Sequence, residues 1–315
     1  MRLSVAPRPA GALFDVVGLG LNSVDLLTVI AGPIRPNGKH PADRIVRLPG
    51  GQTATALSAC VRLGWRSRYL GRFGDDDHGR FSKSQLAAGG VDVSASVTVS
   101  DATNQFAVII VDRRNGERTI MWQRDPALAV PASEVTAKTV TSGRVLLVDC
   151  AETEAAMAAV RMARRAGIPT VIDVERLRPN LEPLLEQVDV IIAAQAFPAA
   201  LTGEAEIGRA LRAMASRFRA QLVAVTLGEE GSLALVGGRE IRTPGFGVKV
   251  VDTTGAGDAF RGGFVAAWLE AGAAAEADEL LRFANAVAAL NCRRLGAQAG
   301  LPGTDEVRRL LASTG

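Results

Sequence analysis

The chain has 315 residues, of which 48% are hydrophobic, enough to bury the core of one large α/β domain or two smaller ones. The net charge is only +3, and the basic residues form no block with interleaved aromatics, so neither nucleic acid nor a membrane is an expected partner. The cysteines are few and show no CxxC spacing, and no leader or membrane span is recognisable, which favours the cytoplasm.

The first predicted strand and helix follow an N-terminal tail. Residues 1–12 contain two prolines and no periodic pattern, so we expect a flexible tail, with residues 13–315 forming one domain. The apolar run at 14–19 stops at a glycine and predicts a buried strand. Residues 53–63 show a helical pattern that ends at Gly64, a residue type common at helix ends.

From residue 144 onward, predicted strands and helices alternate. The runs RVLLVDC, TVIDV, VDVIIAA and LVAVTLG are typical of strands, and Ala-rich amphipathic stretches lie between them. This rhythm predicts an α/β fold with a parallel sheet covered by helices on both faces. The extended segments at 24–48 and 97–124 do not fit the rhythm, and the Asn115-Gly116 pair predicts a hairpin, so we expect a small separate antiparallel sheet.

A glycine-rich turn, DTTGAGDAF, stands between an extended run and a long helical pattern. Gly255 and Gly257 allow a tight turn, and the first turn of the following helix offers free amides that bind anions. A carboxylate at Asp258, kept ionised among those donors, could accept a proton from a hydroxyl while the amides hold a phosphoryl group. The plainer interpretation is an aspartate that caps the helix, and the turn alone does not decide between the two.

Two long segments together resemble a known family. VVDTTGAGDAFRGGF resembles the second signature of ribokinase-like, PfkB-type carbohydrate kinases, and LPGGQTATALSACVRLGWRSRYLGRFGDDDHGRF, at 48–81, resembles the first. The resemblance runs from Phe14 to about Pro302. It implies a doubly wound, mostly parallel sheet sandwiched by helices, with a small β-sheet lid that corresponds to the two extended segments.

The resemblance also implies roles for individual residues. Asp258 would be the catalytic base, and the backbone amides of Gly255, Ala256 and Gly257 would form the anion hole. The candidates for substrate binding are Asp25, Asn22, Gly50, Gly51, Gln52 and Thr55, with Trp122 and Arg124 as further lining residues. The candidates for ATP binding are Thr226, Gly228, Gly231 and Asn285. A monovalent cation such as K⁺ could bind at Asp252 and Thr254.

Several positions depart from the common family pattern. Where many members have an asparagine and a glutamate that help to hold Mg²⁺ and phosphate, this chain has apolar residues, at Ala193, Ala194 and Phe197. ATP would then bring Mg²⁺ with its own phosphates. Arg261 follows Asp258 on the same helix face, where it could meet an anion or pair with a neighbouring carboxylate.

The sequence therefore predicts an ATP-dependent kinase that phosphorylates a hydroxymethyl group of a small sugar or sugar derivative. A nucleoside kinase of the same family and a non-catalytic sugar- or nucleotide-binding regulator stay open as alternatives. A dinucleotide-dependent oxidoreductase fails, because Ser23 stands where GLGLN would need its third glycine. Lid sheets in this family often pair, so a homodimer through the lid is expected.

Overall fold

The computed structural model describes residues 1–4, 6–114 and 118–314. The strands are β1 (Val16–Leu19), β2 (Ser23–Ile30), β3 (Ala42–Gly50), β4 (Ser67–Leu70), β5 (Arg72–Gly74), β6 (Val97–Val99), β7 (Phe106–Asp112), β8 (Arg118–Gln123), β9 (Val145–Asp149), β10 (Thr170–Val174), β11 (Val190–Ala193), β12 (Leu222–Thr226), β13 (Ser232–Val236) and β14 (Arg239–Thr243). The helices are α1 (Gln52–Arg62), α2 (Asp77–Ala88), α3 (Ala137–Val140), α4 (Thr153–Arg165), α5 (Leu181–Leu185), α6 (Phe197–Thr202), α7 (Ile207–Arg217), α8 (Ala256–Ala271), α9 (Ala277–Asn291) and α10 (Thr304–Ser313).

The main sheet has the order β14-β13-β12-β11-β10-β9-β1-β4. The six strands from β12 to β4 run parallel, while β13 and β14 add an antiparallel edge. The carboxyl ends of all six parallel strands therefore lie at one edge, where open α/β sheets bind their ligands. The predicted mostly parallel sheet is confirmed.

Apolar side chains cover both faces of the main sheet. Leu146 and Val148 of β9 pack with residues of α4 and α7, whereas Val145 and Leu147 of the same strand pack against α8 and α9. Successive side chains on a strand point to opposite faces, so a strand buried on both faces must be apolar throughout. This packing explains why the strands could be read as unbroken apolar runs.

A second sheet, here called the lid, has the order β3-β2-β7-β8. Its β2–β3 and β7–β8 pairs are antiparallel as predicted, but β2 and β7 run parallel, so the sheet is mixed rather than wholly antiparallel. The predicted segment 97–124 was too long, because β6 pairs with β5 in a separate two-stranded sheet. The predicted Asn115-Gly116 turn lies outside the described residues. The expected pairing of lids in a homodimer stays a prediction.

The N-terminal segment is attached to the body, contrary to the expected flexible tail. Leu3 is buried in the core, and its amide donates to the carbonyl of Ala275 at 3.1 Å. Arg2 pairs with Glu276 at 2.9 Å, and the amide of Arg8 donates to the carbonyl of Arg144. A single buried leucine and backbone bonds leave no periodic signal, so the sequence did not reveal this docking.

Within the described ranges, none of the helices has the length and apolarity needed to cross a membrane. The three cysteines are buried and form no disulfide, as their spacing indicated. Burial raises the pKa of the Cys60 thiol to about 12, so this side chain acts as a small apolar group. The cytoplasmic location stays a prediction.

Candidate active site

A cavity of about 680 Å³ lies between the lid and the carboxyl edge of the main sheet. Its floor is formed by loops that follow β9, β10, β11 and β12 and by the segment 253–258 that leads into α8. Its roof is formed by lid side chains, which include Ile109, Ile120 and Trp122. The fold thus places the glycine turn, the strand ends and the lid around one open cleft.

The glycine turn shapes the amino terminus of α8 as the sequence predicted. Gly255 caps the helix with a left-handed φ of 74°. The amide of Ala256 already donates to the carbonyl of Thr253 at 3.2 Å. The amides of Gly255, Gly257 and Asp258 have no acceptor among the described residues. The amides without an acceptor among the described residues are therefore these three, and the predicted part of Ala256 in an anion hole stays a prediction.

Asp258 is half-buried in the cavity floor within the first turn of α8. Its removal from water raises the pKa of the carboxyl to about 7, and the carboxylates of Glu175, Asp149 and Asp25 act in the same direction. Arg261 opposes that rise. The sequence suggested a carboxylate held firmly ionised by amides, but burial outweighs this effect and gives a group whose pKa suits proton transfer near neutral pH.

A buried ion pair lies next to Asp258. Arg261 Nη2 is 2.7 Å from Asp173 Oδ1, and both side chains are almost fully buried. Arg261 also donates to the carbonyl of Ile192 at 3.3 Å, and Gln52 Nε2 donates to Asp173 Oδ2 at 3.2 Å. Of the two interpretations of Arg261, the pairing with a carboxylate is present, and the same side chain also lines the cavity.

The predicted substrate residues divide between the cavity and the scaffold. Asp25, Gly51 and Gln52 line the cavity, as do Trp122 and Arg124. Asp25 is buried and accepts a hydrogen bond from Ser23 Oγ at 2.9 Å, and burial raises its pKa to about 6.

Gly50 contributes space to this end of the cavity. A Cβ at this position would lie 2.1 Å from Asp25 Oδ2, so any larger residue would displace the carboxylate. Gly51 has a left-handed φ of 96°, and a Cβ there would lie 2.5 Å from the Asn22 Cα. The glycine pair thus lets the lid strand pass close to Asp25 before α1 begins.

Two residues predicted to bind the substrate, Asn22 and Thr55, do not line the cavity. Asn22 is buried, and its amide donates to the Tyr69 hydroxyl and the Arg72 carbonyl, both at 2.8 Å, while its oxygen accepts from Ser82 and Asn104. The donors and the acceptor of the Asn22 side chain are therefore all hydrogen-bonded within the protein. Thr55 is fully buried in α1 and accepts a hydrogen bond from Gln298 at 3.2 Å, away from the cavity wall.

The predicted nucleotide residues also divide. Thr226 and Gly228 line the cavity at the end of β12. Gly231 has a φ of 92°, and a Cβ there would lie 2.2 Å from the Thr243 carbonyl, so it shapes the turn rather than the wall. Asn285 is buried and donates to Ser232 Oγ and the Thr243 carbonyl, both at 3.1 Å. It links β13 and β14 to α9, and its predicted role in ATP binding stays a prediction.

The predicted cation residues hold the loop together. Asp252 Oδ1 accepts from the amide and the hydroxyl of Thr254, at 2.9 and 2.8 Å, and Asp252 Oδ2 accepts from the Gly296 amide at 2.8 Å. Both oxygens therefore serve to fix the turn that leads into α8. A role in binding K⁺ stays a prediction.

The apolar positions expected to weaken magnesium binding are apolar in space as well. Phe197 is fully buried in the core, and Ala194 lines the cavity without a polar side chain. The described residues contain no cluster of His, Cys, Asp or Glu that could hold a metal ion. Mg²⁺ would then be held chiefly by the phosphates of ATP and by water, and its binding here stays a prediction.

Sequence reasoning missed acidic and basic residues at two strand ends. Asp149 ends β9 fully buried and accepts from the Leu21 amide at 2.7 Å and Thr53 Oγ1 at 2.8 Å. Asp173 lies in β10, with Arg176 and Arg178 in the loop beyond it. An aspartate at the end of an apolar strand was the available signal, since carboxyl ends of parallel strands meet at one edge.

Comparison with known proteins agrees with this architecture. A family model described as pfkB family carbohydrate kinase matches residues 14–304. A fructokinase from Klebsiella pneumoniae is 31% identical over 314 residues, which cover 93% of this chain and 98% of that protein.

Solved structures show the same fold. A protein of proposed ribokinase activity from Agrobacterium tumefaciens has a TM-score of 0.89 at 26% identity, over 96% of this chain and 99% of that one. The ribokinase of Arabidopsis thaliana, solved with ribose and ATP, has a TM-score of 0.81 at 24% identity, over 95% and 98% of the two chains. With a family model matching most of its length, the chain belongs to the pfkB family of carbohydrate kinases.

Proposed function

We propose that the protein transfers the γ-phosphoryl group of ATP to a hydroxymethyl group of a small sugar or sugar derivative, with Asp258 as the base. The observation that carries the proposal is the position of Asp258. Its carboxyl lies in the cavity floor at a helix amino terminus, beside three amides without acceptors among the described residues. A proton acceptor and an anion-binding surface thus stand side by side.

The reaction follows from this arrangement. The acceptor hydroxyl loses its proton to the Asp258 carboxylate as its oxygen forms a bond to the γ-phosphorus of ATP. The bond between that phosphorus and the β–γ bridging oxygen breaks, and ADP leaves with the electron pair. The amides of Gly255, Gly257 and Asp258 donate hydrogen bonds to the negative oxygens of the phosphoryl group in flight.

The two substrates would occupy opposite ends of the cavity. Asp25, near the start of the lid strand β2, accepts hydrogen bonds from sugar hydroxyls and orients the acceptor. Thr226 and Gly228, at the end of β12, lie on the side proposed for ATP. The lid strands β7 and β8 cover the space between, which keeps water away from the phosphoryl group.

A sugar fits the cavity better than a nucleoside does. A nucleobase is usually bound by stacking on aromatic rings, and the lid offers only Trp122 and Phe106 as candidates. The Phe106 ring already stacks on His78 with centroids 4.5 Å apart. Of the aromatic residues that the structure describes, Trp122 alone lines the cavity, and the Arg176 guanidinium lies 5.4 Å from its ring. The non-catalytic alternative has no observation in its favour beyond the apolar positions in place of magnesium-binding side chains.

The direct test is a screen for ADP release with neutral sugars, sugar derivatives and nucleosides as acceptors, in the presence of Mg²⁺ and K⁺. Acceptor-dependent ADP release together with a phosphorylated acceptor, identified by mass spectrometry, is the expected result. Turnover confined to nucleosides would move the assignment to the nucleoside kinases. Tight ATP binding with no turnover of any acceptor would favour the regulator.

The pH dependence of kcat/KM should report the buried carboxylates around Asp258. Only the ionised carboxyl accepts a proton, so activity is expected to fall as pH drops through about 7, the raised pKa of Asp258. Burial also raises the pKa of Asp173, to about 8. The bend in the pH profile therefore reports the two interacting carboxyls, Asp258 and Asp173, rather than one residue. The measurement is kcat/KM for the acceptor from pH 5 to pH 9.5, at saturating ATP.

The variant Arg261→Met tests this pH dependence most directly. Arg261 lowers the pKa of Asp258, so its removal should move the acid limb of the kcat/KM profile to higher pH, by roughly 1 to 3 pH units. Activity at pH 7 falls and returns toward pH 9, whereas Arg261→Lys keeps the charge and most of the wild-type limb. A loss that is equal at every pH would mean that Arg261 serves only the packing of α8.

A further inference from the structure

Some charged side chains of the cavity wall have no oppositely charged partner among the described residues. Five arginines line the cavity: Arg118, Arg124, Arg176, Arg178 and Arg261. Three of them pair with carboxylates: Arg124 with Glu152, Arg176 with Glu175, and Arg261 with Asp173. Two cations therefore remain without a carboxylate in the described part of the chain.

The two remaining arginines differ in their surroundings. Arg118, at the start of β8, donates to Thr253 Oγ1 at 2.5 Å, so it reaches the loop that precedes the free amides of α8. That position places it near the phosphoryl group. The guanidinium of Arg178 makes no hydrogen bond or ion pair with any described residue, and its Nε atom is buried from solvent. A buried N–H donor without an acceptor is unfavourable unless a ligand supplies one.

Arg178 stands in the loop that follows β10, which rises toward the lid. Its neighbour Arg176 lies 5.4 Å from the Trp122 ring of β8, so the loop and the lid meet there. Asp25 and Gln52, on the proposed acceptor side, line the same cavity. Neither Asp25 nor Asp258, the two wall carboxylates without a cationic partner, forms an ion pair with Arg178.

We propose that Arg178 binds an anionic substituent of the acceptor, so the substrate is a sugar phosphate or a sugar acid rather than a neutral sugar. A guanidinium offers paired donors that match both a phosphate and a carboxylate. The proposal rests on the proposed function, because it names the acceptor of that transfer. Arg178 thus acts at the acceptor end of the cavity, while the amides of α8 serve the transferred phosphoryl group.

The test compares three six-carbon 2-keto compounds, two ketoses and one keto acid, that share a free hydroxymethyl group at C6. Fructose is neutral at C1, fructose 1-phosphate carries a phosphate there, and 2-ketogluconate carries a carboxylate. One of the anionic compounds is expected to exceed fructose in kcat/KM, and the better one identifies the anion. In Arg178→Gln the ratio of its kcat/KM to that of fructose should fall roughly 10- to 100-fold, chiefly through KM.

Two further variants keep the result interpretable. Arg178→Lys retains a charge without the paired donors and should recover part of the loss. Arg219→Gln removes an exposed arginine from a loop outside the cavity and should leave the ratio at its wild-type value. A preference for fructose over both anions, or an equal loss for all three in Arg178→Gln, would overturn the inference while leaving the kinase assignment intact.

Binding measurements separate the remaining outcomes. If none of the three compounds is turned over, calorimetry with fructose 1-phosphate and 2-ketogluconate on wild type and Arg178→Gln still decides whether Arg178 binds the anion. Loss of affinity for one of them in the variant supports the inference, and unchanged affinity overturns it. If Arg178→Gln raises the KM for ATP instead, Arg178 serves the nucleotide phosphates and the inference is wrong.

Discussion

Replacing Asp258 with asparagine is expected to lower kcat by roughly 10²- to 10⁴-fold, because the acceptor hydroxyl then has no group to take its proton. The change keeps the size of the side chain and removes only its basicity. Burial already favours the neutral form of this carboxyl, so folding should be unaffected. The measurement is kcat with the acceptor found in the screen, together with the affinities for ATP and acceptor, which should stay close to wild type.

A matched control is available at another helix. Asp305 lies in the first turn of α10, exposed and far from the cavity, so Asp305→Asn repeats the change of charge at a helix amino terminus without touching the site. Its kcat should equal that of wild type. Should Asp258→Asn keep more than about a tenth of the activity, the effect would be too small for a general base, and Asp173 would be the next candidate.

The neighbours of Asp258 explain why its environment must be balanced. Glu175, Asp149 and Asp25 raise its pKa along with burial, and Arg261 alone among the named causes lowers it. A base with a pKa far above 7 would be protonated at neutral pH, and one far below would bind the proton too weakly. In the proposed mechanism Arg261, held in place by its buried pair with Asp173, thus tunes the pKa of the base without needing to contact the transferred group.

The fold could be predicted because its signals are local. Strands buried on both faces are apolar throughout, and the glycine turn before α8 is a short run with one geometric use. Asp258 and Asp25 were predicted and do line the cavity, since each stands directly beside such a signal. The lid was predicted from the two segments that do not fit the alternation of strands and helices. The predicted bounds of its second segment began too early, at residue 97.

The predicted site residues that do not line the cavity share a physical feature. Asn22, Thr55 and Asn285 are polar residues beside the site in sequence, and the sequence does not tell which way a buried polar side chain points. In α1 every residue from Thr53 to Cys60 is buried, so no periodicity marks the face toward the cavity. Buried polar side chains need hydrogen-bond partners, and the partners of these three residues lie within the protein.

The partner of Arg261 and the arginines beyond β10 were missed for a different reason. Asp173 and Arg261 are far apart in the chain, and their contact exists only because β10 ends under the first turns of α8. Arg178 stands in a loop whose composition resembles any solvated turn. Only the contacts in the folded protein distinguish an arginine that is paired with a carboxylate from one that is not.

The second large effect is expected at Gly255, which holds the free amides in place. Gly255→Ala must place a Cβ at a φ of 74°, only 2.6 Å from the Ala297 carbonyl oxygen and 2.7 Å from the Ala297 Cα. Backbone atoms cannot swing aside as a side chain can, so the loop must move and take the amides of Gly257 and Asp258 with it. Loss of one such donor costs roughly 10²- to 10³-fold in kcat, and we expect a loss in that range.

Gly203→Ala separates backbone strain from damage to the site. Gly203 ends α6 at a φ of 77°, nearly that of Gly255, but a Cβ there would meet no atom within 4 Å. Both variants pay about 1–2 kcal/mol for a left-handed alanine, which thermal unfolding should register in each. Only Gly255→Ala should lose kcat. Equal activity in the two variants would show that phosphoryl transfer does not need these amides where the turn holds them, and the anion hole would have to be sought among the arginines of the wall.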